Sequence, residues 1–123
     1  MHKTLRCAAV VALGVAVSAL AATPSRADWT AYAVDGHGKF GHGRAHSRAQ
    51  AEDYALGYCG SRRCFVVMTS RARCVALATS NFNGFWVGTG AADTSQQAAR
   101  FARRYCAENA PWRTCHIDHT YCQ

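Results

Sequence analysis

Histidine is the first residue type in this chain that could do chemistry. Beyond position 27 the sequence carries His37, His42, His46, His116 and His119. Two imidazoles can serve as acid and base near neutral pH, the arrangement that small basic secreted nucleases use. The run His116-Ile117-Asp118-His119 also sets an imidazole close to a carboxylate. On a strand, however, His116 and Asp118 face one way and His119 the other. No Ser-His-Asp or Cys-His set follows from the spacing, so no catalytic residue is assigned. His42 and His46 stand four apart, which suits a metal clamp on a helix. Their glycine-flanked segment reads as a strand, where such residues lie about 13 Å apart. Solvent-exposed histidine is the expectation there, with no metal and no cofactor.

Arginine is the second. Arg100, Arg103 and Arg104 fall at i, i+3 and i+4 of a predicted helix and make a basic face suited to phosphate or carboxylate. Arg62, Arg63, Arg71 and Arg73 add charge near the loops. With the first 27 residues set aside, 11 basic residues oppose 7 acidic ones, a net charge of +4, and only Lys39 is not arginine. That balance favours an anionic macromolecule or an acidic protein as partner. Cations near a helix C-terminus also answer the helix dipole, so charge alone names no partner. Gly36-x-Gly38 and Gly41-x-Gly43 lack the strand–helix context of a dinucleotide site and read as turn and close-packing glycines.

Cysteine is the third, and its meaning depends on compartment. Lys3 and Arg6 precede an apolar run from Cys7 to Ala22, and Pro24-Ser25-Arg26-Ala27 follows it. This is the three-part pattern of a cleavable signal peptide over residues 1–27, with cleavage expected between Ala27 and Asp28. The apolar run is shorter than the roughly 20 residues a bilayer-spanning helix needs, so no stable membrane anchor is expected. The remaining 96 residues, 28–123, form one small domain holding Cys59, Cys64, Cys74, Cys106, Cys115 and Cys122. An even number of cysteines in an exported chain reads as three disulfides, periplasmic or extracellular, rather than a thiolate metal site.

An internal repeat positions these residues. Ser47 to Cys59 lies over Thr94 to Cys106: both read hydroxyl, two residues, Gln-Ala, two residues, aromatic-Ala, two residues, Tyr-Cys. Upstream, Ala31-Tyr32-Ala33 matches Ala76-Leu77-Ala78, and Phe40 with Gly43 matches Phe85 with Gly88, a two-residue insertion separating the registers. Ser47 and Thr94 can cap a first turn while Gln50 and Gln97 reach back, a capping box. Ala51, Tyr54, Ala55 and Tyr58 then form one helical stripe, as do Ala98, Phe101, Ala102 and Tyr105, and their aromatics are expected in the core. Strands are predicted at Ala31–Val34, Lys39–Ala45, Cys64–Thr69, Val75–Thr79, Phe85–Gly90 and Cys115–Cys122. Each repeat, about 29–73 and 74–123, is thus strand, strand, helix, strand. The whole is an α+β domain, two helices on an antiparallel sheet system, with one core shared by two halves.

Six cysteines allow fifteen connectivities. Equivalent positions in two repeats should pair alike, giving Cys59–Cys64 and Cys106–Cys115 and leaving Cys74–Cys122. The run Cys59-Gly60-x-x-x-Cys64-x-Val66-Val67, then Cys74-x-Ala76-x-Ala78, Gly88-Thr89-Gly90 and the second Ala-rich helix resembles one exported bacterial family. That family is catalogued as domain of unknown function 4189, and the likeness spans Trp29 to Cys122. It implies export and a small cysteine-bearing fold and carries no catalytic residues with it. The function expected is that of a monomeric, non-enzymatic interaction module using the arginine face. The alternative is a small basic hydrolase, nuclease-like, with His116 or His119 as acid or base.

Overall fold

The computed structural model describes residues 27–123, so the signal-peptide expectation lies outside the described residues apart from Ala27. Strands β1 (Trp29–Val34) and β2 (Phe40–Ala45) form an antiparallel hairpin. Its turn is built by Asp35, whose carboxylate accepts from the N–H groups of His37 and Lys39 at 2.7 and 3.0 Å. Gly36 and Gly38 take positive φ of 81° and 109° there, which side-chain-bearing residues resist. Helix α1 (Arg48–Cys59) starts where the Ser47 hydroxyl accepts from Gln50 N–H at 3.2 Å, and ends at left-handed Gly60. Strand β3 (Phe65–Ser70) returns beside β1. The order then repeats as β4 (Cys74–Ser80), β5 (Trp86–Ala92), α2 (Ser95–Cys106, capped by Thr94) and β6 (His116–Cys122), with a 3-10 turn at Trp112–Thr114 before β6.

The strands form two antiparallel sheets, β2-β1-β3 and β5-β4-β6. Each carries its helix on one face and meets the other sheet with the opposite face, so the α+β expectation of two strand-strand-helix-strand units holds. All three expected disulfides are present: Cys59–Cys64, Cys74–Cys122 and Cys106–Cys115. Among the described residues no helix is long and apolar enough to cross a membrane. The two ends of the described chain are latched together. Gln123 Oε1 accepts from Asp28 N–H at 2.8 Å, and its Nε2 donates to the carbonyl oxygens of Asp28 and Ala72 at 3.0 and 3.1 Å.

The core differs from the expected single one. The shared part lies between the sheets, where Tyr32, Val34, Val75 and Leu77 are fully buried. Burying each Val or Leu side chain contributes roughly 1.5–3 kcal/mol. Two further clusters lie between each helix and its own sheet, built from Ala31, Ala33, Ala51, Ala55 and Cys59 in one unit and Ala76, Ala78, Ala98, Ala102 and Cys106 in the other.

The helical aromatics are not core. Tyr54, Tyr58 and Tyr105 are 46%, 76% and 52% exposed, and Phe101 is half-buried. The cause is the closeness of helix and sheet. A Cβ placed on Gly41 or Gly43 would stand 2.0 Å from Ala55 O or Ala51 O, and one on Gly88 or Gly90 1.9 Å from Ala102 O or Ala98 O. Only the i, i+4, i+8 row of Ala and Cys fits that gap, and the aromatics are turned to the flanks. The same contacts correct the repeat register: Gly41 answers to Gly88 and Gly43 to Gly90, so the two-residue difference lies in the hairpin turn. The capping box is also half made. Gln50 spends its amide on the Tyr54 hydroxyl, at 3.1 Å, instead of reaching back.

Candidate functional site

A cluster of imidazoles and phenols lies where β2 of one sheet faces β6 of the other. In the hairpin, Tyr32 pairs with His42, and both point toward the second sheet. On β6 a bulge controls what faces them. Leu77 pairs with His119 and Ala78 with Ile117, leaving Asp118 as the extra residue. The slip puts His116, opposite Thr79, on the same face as His119, opposite Leu77, because Leu77 and Thr79 are two apart on their strand. The expectation that His116 and His119 face opposite ways is therefore overturned. Asp118 is hydrogen-bonded by the Thr79 hydroxyl rather than by an imidazole.

The Tyr32 hydroxyl and His119 Nδ1 are 2.7 Å apart, with Tyr32 wholly buried. The His42 ring centroid lies 4.9 Å from that of His119 and 4.7 Å from that of Tyr121. His42 and His119 are half-buried, a correction to the expectation of solvent-exposed histidine; His37, His46 and His116 are exposed. Burial, with the nearby charges of His119 and Arg44, lowers the His42 pKa to about 4, and burial lowers that of His119. Both rings are neutral at pH 7. Burial raises the pKa of Tyr32, so its phenol keeps its proton.

A charged rim borders this cluster. Arg44 Nε and His46 Nδ1 meet the two carboxylate oxygens of Asp28 at 2.7 and 2.6 Å. Burial pushes the Asp28 carboxyl up, but the Arg44 and His46 contacts outweigh it and hold the group below its ordinary range. The Arg44 guanidinium also lies 5.9 Å from the Tyr121 ring centroid. His42 and His46 thus form no clamp: one ring is between the sheets, the other on Asp28.

The arginines of α2 divide. Arg100 and Arg104 are exposed, whereas Arg103 is half-buried with its guanidinium 4.2 Å from the centroid of the Trp112 ring. On the other flank of α2, Phe101 and Tyr105 line a groove of 300 Å³ with Met68, Thr89, Gly90 and Ala91. The groove runs beside β5, an edge strand without charge, proline or bulge.

Comparing the two units shows what the fold itself requires. By strand pairing, Tyr32, His42, His119 and Tyr121 answer to Leu77, Thr89, Met68 and Ser70. One unit-to-unit edge is therefore polar and aromatic, and its counterpart is the groove just described. The Tyr32–His42 pairing follows from hairpin register and was open to sequence reasoning. The approach of His119 was not, since it depends on a bulge and on how two sheets stack.

No characterised protein and no solved structure shows significant similarity to this chain. The shared features, namely paired Gly-rich strands under Ala-Cys helices and three staples, all fall within the region matched by one family profile over residues 29–122. The chain belongs to that family, described as a domain of unknown function, DUF4189.

Proposed function

We propose that the protein is an exported, monomeric, non-enzymatic interaction module that holds an extended, acidic segment of a partner protein along β5 and α2. The observation that carries this reading is the outward turn of the α2 aromatics. Phe101 and Tyr105 do not close the core; they wall a groove with Met68 beside an open strand edge. An edge strand offers unpaired N–H and C=O groups to which an extended peptide can add. Trp86–Ala92 carries none of the charges or bulges that usually discourage such addition. Aromatic residues and arginine are also the types that dominate binding energy at interfaces.

Charge indicates the partner's chemistry. Arg104 stands exposed beside the groove, its guanidinium 5.8 Å from the Phe101 ring centroid, and Arg100 is exposed one turn earlier on the same helix. Arg103 contributes through Trp112 rather than as a free cation. Export is supported by three disulfides, which persist in oxidising compartments. The engagement of Asp118 by Thr79 supports the non-enzymatic reading over a hydrolase built on His116 or His119.

Selection of displayed random peptides against the immobilised protein tests the proposal. Enriched sequences should be acidic with alternating apolar residues, and their amide-shift footprint should cover β5 and α2. R100E combined with R104E should weaken them at least tenfold. Neutral or basic winners, or a footprint elsewhere, would sink the reading.

A further inference from the structure

We propose that His42 and His119 form a binding site for a late divalent transition-metal ion, with Tyr32 positioning His119. The site lies at the β2–β6 edge, away from the β5 groove, and is independent of the peptide-binding reading. Three observations meet there. His42 Nε2 is buried and no group among the described residues hydrogen-bonds it, although buried polar atoms nearly always have a partner. The His119 ring is adjacent, 4.9 Å away between centroids. Its Nδ1 is engaged by the Tyr32 hydroxyl at 2.7 Å, which leaves Nε2 as the nitrogen for a ligand.

That last contact is the outer-sphere arrangement typical of metal-bound histidine, where the second ring nitrogen is fixed by a hydrogen-bonding neighbour. The phenol oxygen accepts from Nδ1–H in the tautomer of His119 that leaves the Nε2 lone pair free for a metal, and Tyr32 holds that tautomer in place. Both imidazoles are already in the neutral form that coordination needs. The charge of Arg44 is offset by Asp28 at 2.7 Å. The fold itself needs none of this, since the other unit closes the same place with Leu77, Thr89 and Met68. Imidazole nitrogen suits Zn(II), Ni(II) and Cu(II), not Mg(II) or Ca(II). Among the described residues no three His, Cys, Asp or Glu side chains converge. The site is therefore a two-histidine site, weaker than a four-ligand structural centre.

Zinc chloride is the probe, added to the full chain carrying C7S to remove the cysteine outside the disulfides. Imidazole nitrogen resonances of His42 and His119 should shift together and before those of His37, His46 and His116. H42T and H119M place in this unit the residues found in the other, so folding should be retained, and each should weaken zinc binding at least tenfold. Y32F should weaken it between about three- and tenfold without changing stoichiometry. Shifts confined to the exposed histidines, or unchanged zinc affinity in H42T and H119M, would overturn the assignment.

Discussion

At His42, burial and neighbouring positive charge act in the same direction, and the result is a measurable pH dependence. Its folded pKa near 4 lies below the ordinary value of 6.5. Above pH 6.5 the ring is neutral whether the chain is folded or not, and its contribution is constant. Between pH 6.5 and 4 the unfolded chain takes up a proton that the folded one refuses, so stability falls as pH falls. The full gap corresponds to about 3 kcal/mol, and solvent reaching the half-exposed ring reduces this to about 1–2 kcal/mol. His119 acts in the same sense. The groups facing His42 are His119, Tyr32 and Tyr121, with Arg44 on the rim. The lowered carboxyls of Asp28, Asp35 and Glu52 begin to lose their contribution as pH approaches their ordinary values of 3.8, 3.8 and 4.5, so the upper part of the window, above about pH 5, belongs to histidine. Urea midpoints measured with EDTA from pH 7 to 4.5 should fall in the wild type and flatten by about that amount in H42T. An unchanged slope in H42T would show that the ring is better solvated than its burial indicates.

The helices sit on their sheets because glycine and alanine face each other. Substituting either partner tests this on both units at once. G41A and G88A each force a Cβ to within 2.0 and 1.9 Å of a helix carbonyl oxygen. Each should cost about 1–3 kcal/mol or more, by similar amounts, because the two contacts are alike. Gly57 is the counter-case: it lies on the exposed side of α1 with open space around it. G57A should stabilise by about 0.5–1 kcal/mol through helix propensity, and denaturant melts of the three variants give both signs in one experiment. These elements were largely legible in the sequence. Ser47 and Thr94, the Ala rows and the Gly-rich turn each act locally, so spacing was enough to place them. The helical aromatics misled because periodicity puts Tyr54 and Ala55 on one stripe, while the depth of the helix–sheet gap decides which of them fits. The bulges were equally hidden, at Asp118 in β6 and at Val67 in β3, where Tyr32 pairs with Met68 and Ala33 with Val66, since one extra residue in a ladder leaves no mark on composition.

Across the whole molecule, covalent closure and the inter-sheet core divide the work. Cys74–Cys122 closes a span of 48 residues, against 5 for Cys59–Cys64 and 9 for Cys106–Cys115. In the chain-entropy treatment the long closure contributes about 4 kcal/mol and the shortest about 2 kcal/mol. Replacing Cys74 and Cys122 by alanine should therefore lower stability about twice as much as replacing Cys59 and Cys64. Equal losses in urea unfolding would mean that packing around the sulfurs, not closure, dominates. The pairing itself could be read ahead of the structure because two like units constrain each other. The polar cluster could not, since it draws Tyr32 and His42 from one unit and His119 and Tyr121 from the other.

The hydrogen bonds between Asp28 and Gln123 bring the fold close to a ring. With the residue just before β1 touching the residue just after β6, the order of the two units along the backbone is a matter of where the circle is opened. Opening it instead at the exposed Asn81–Gly84 bend would begin the chain at β5 and leave every strand pairing, both helix contacts and all three sulfur bridges in place.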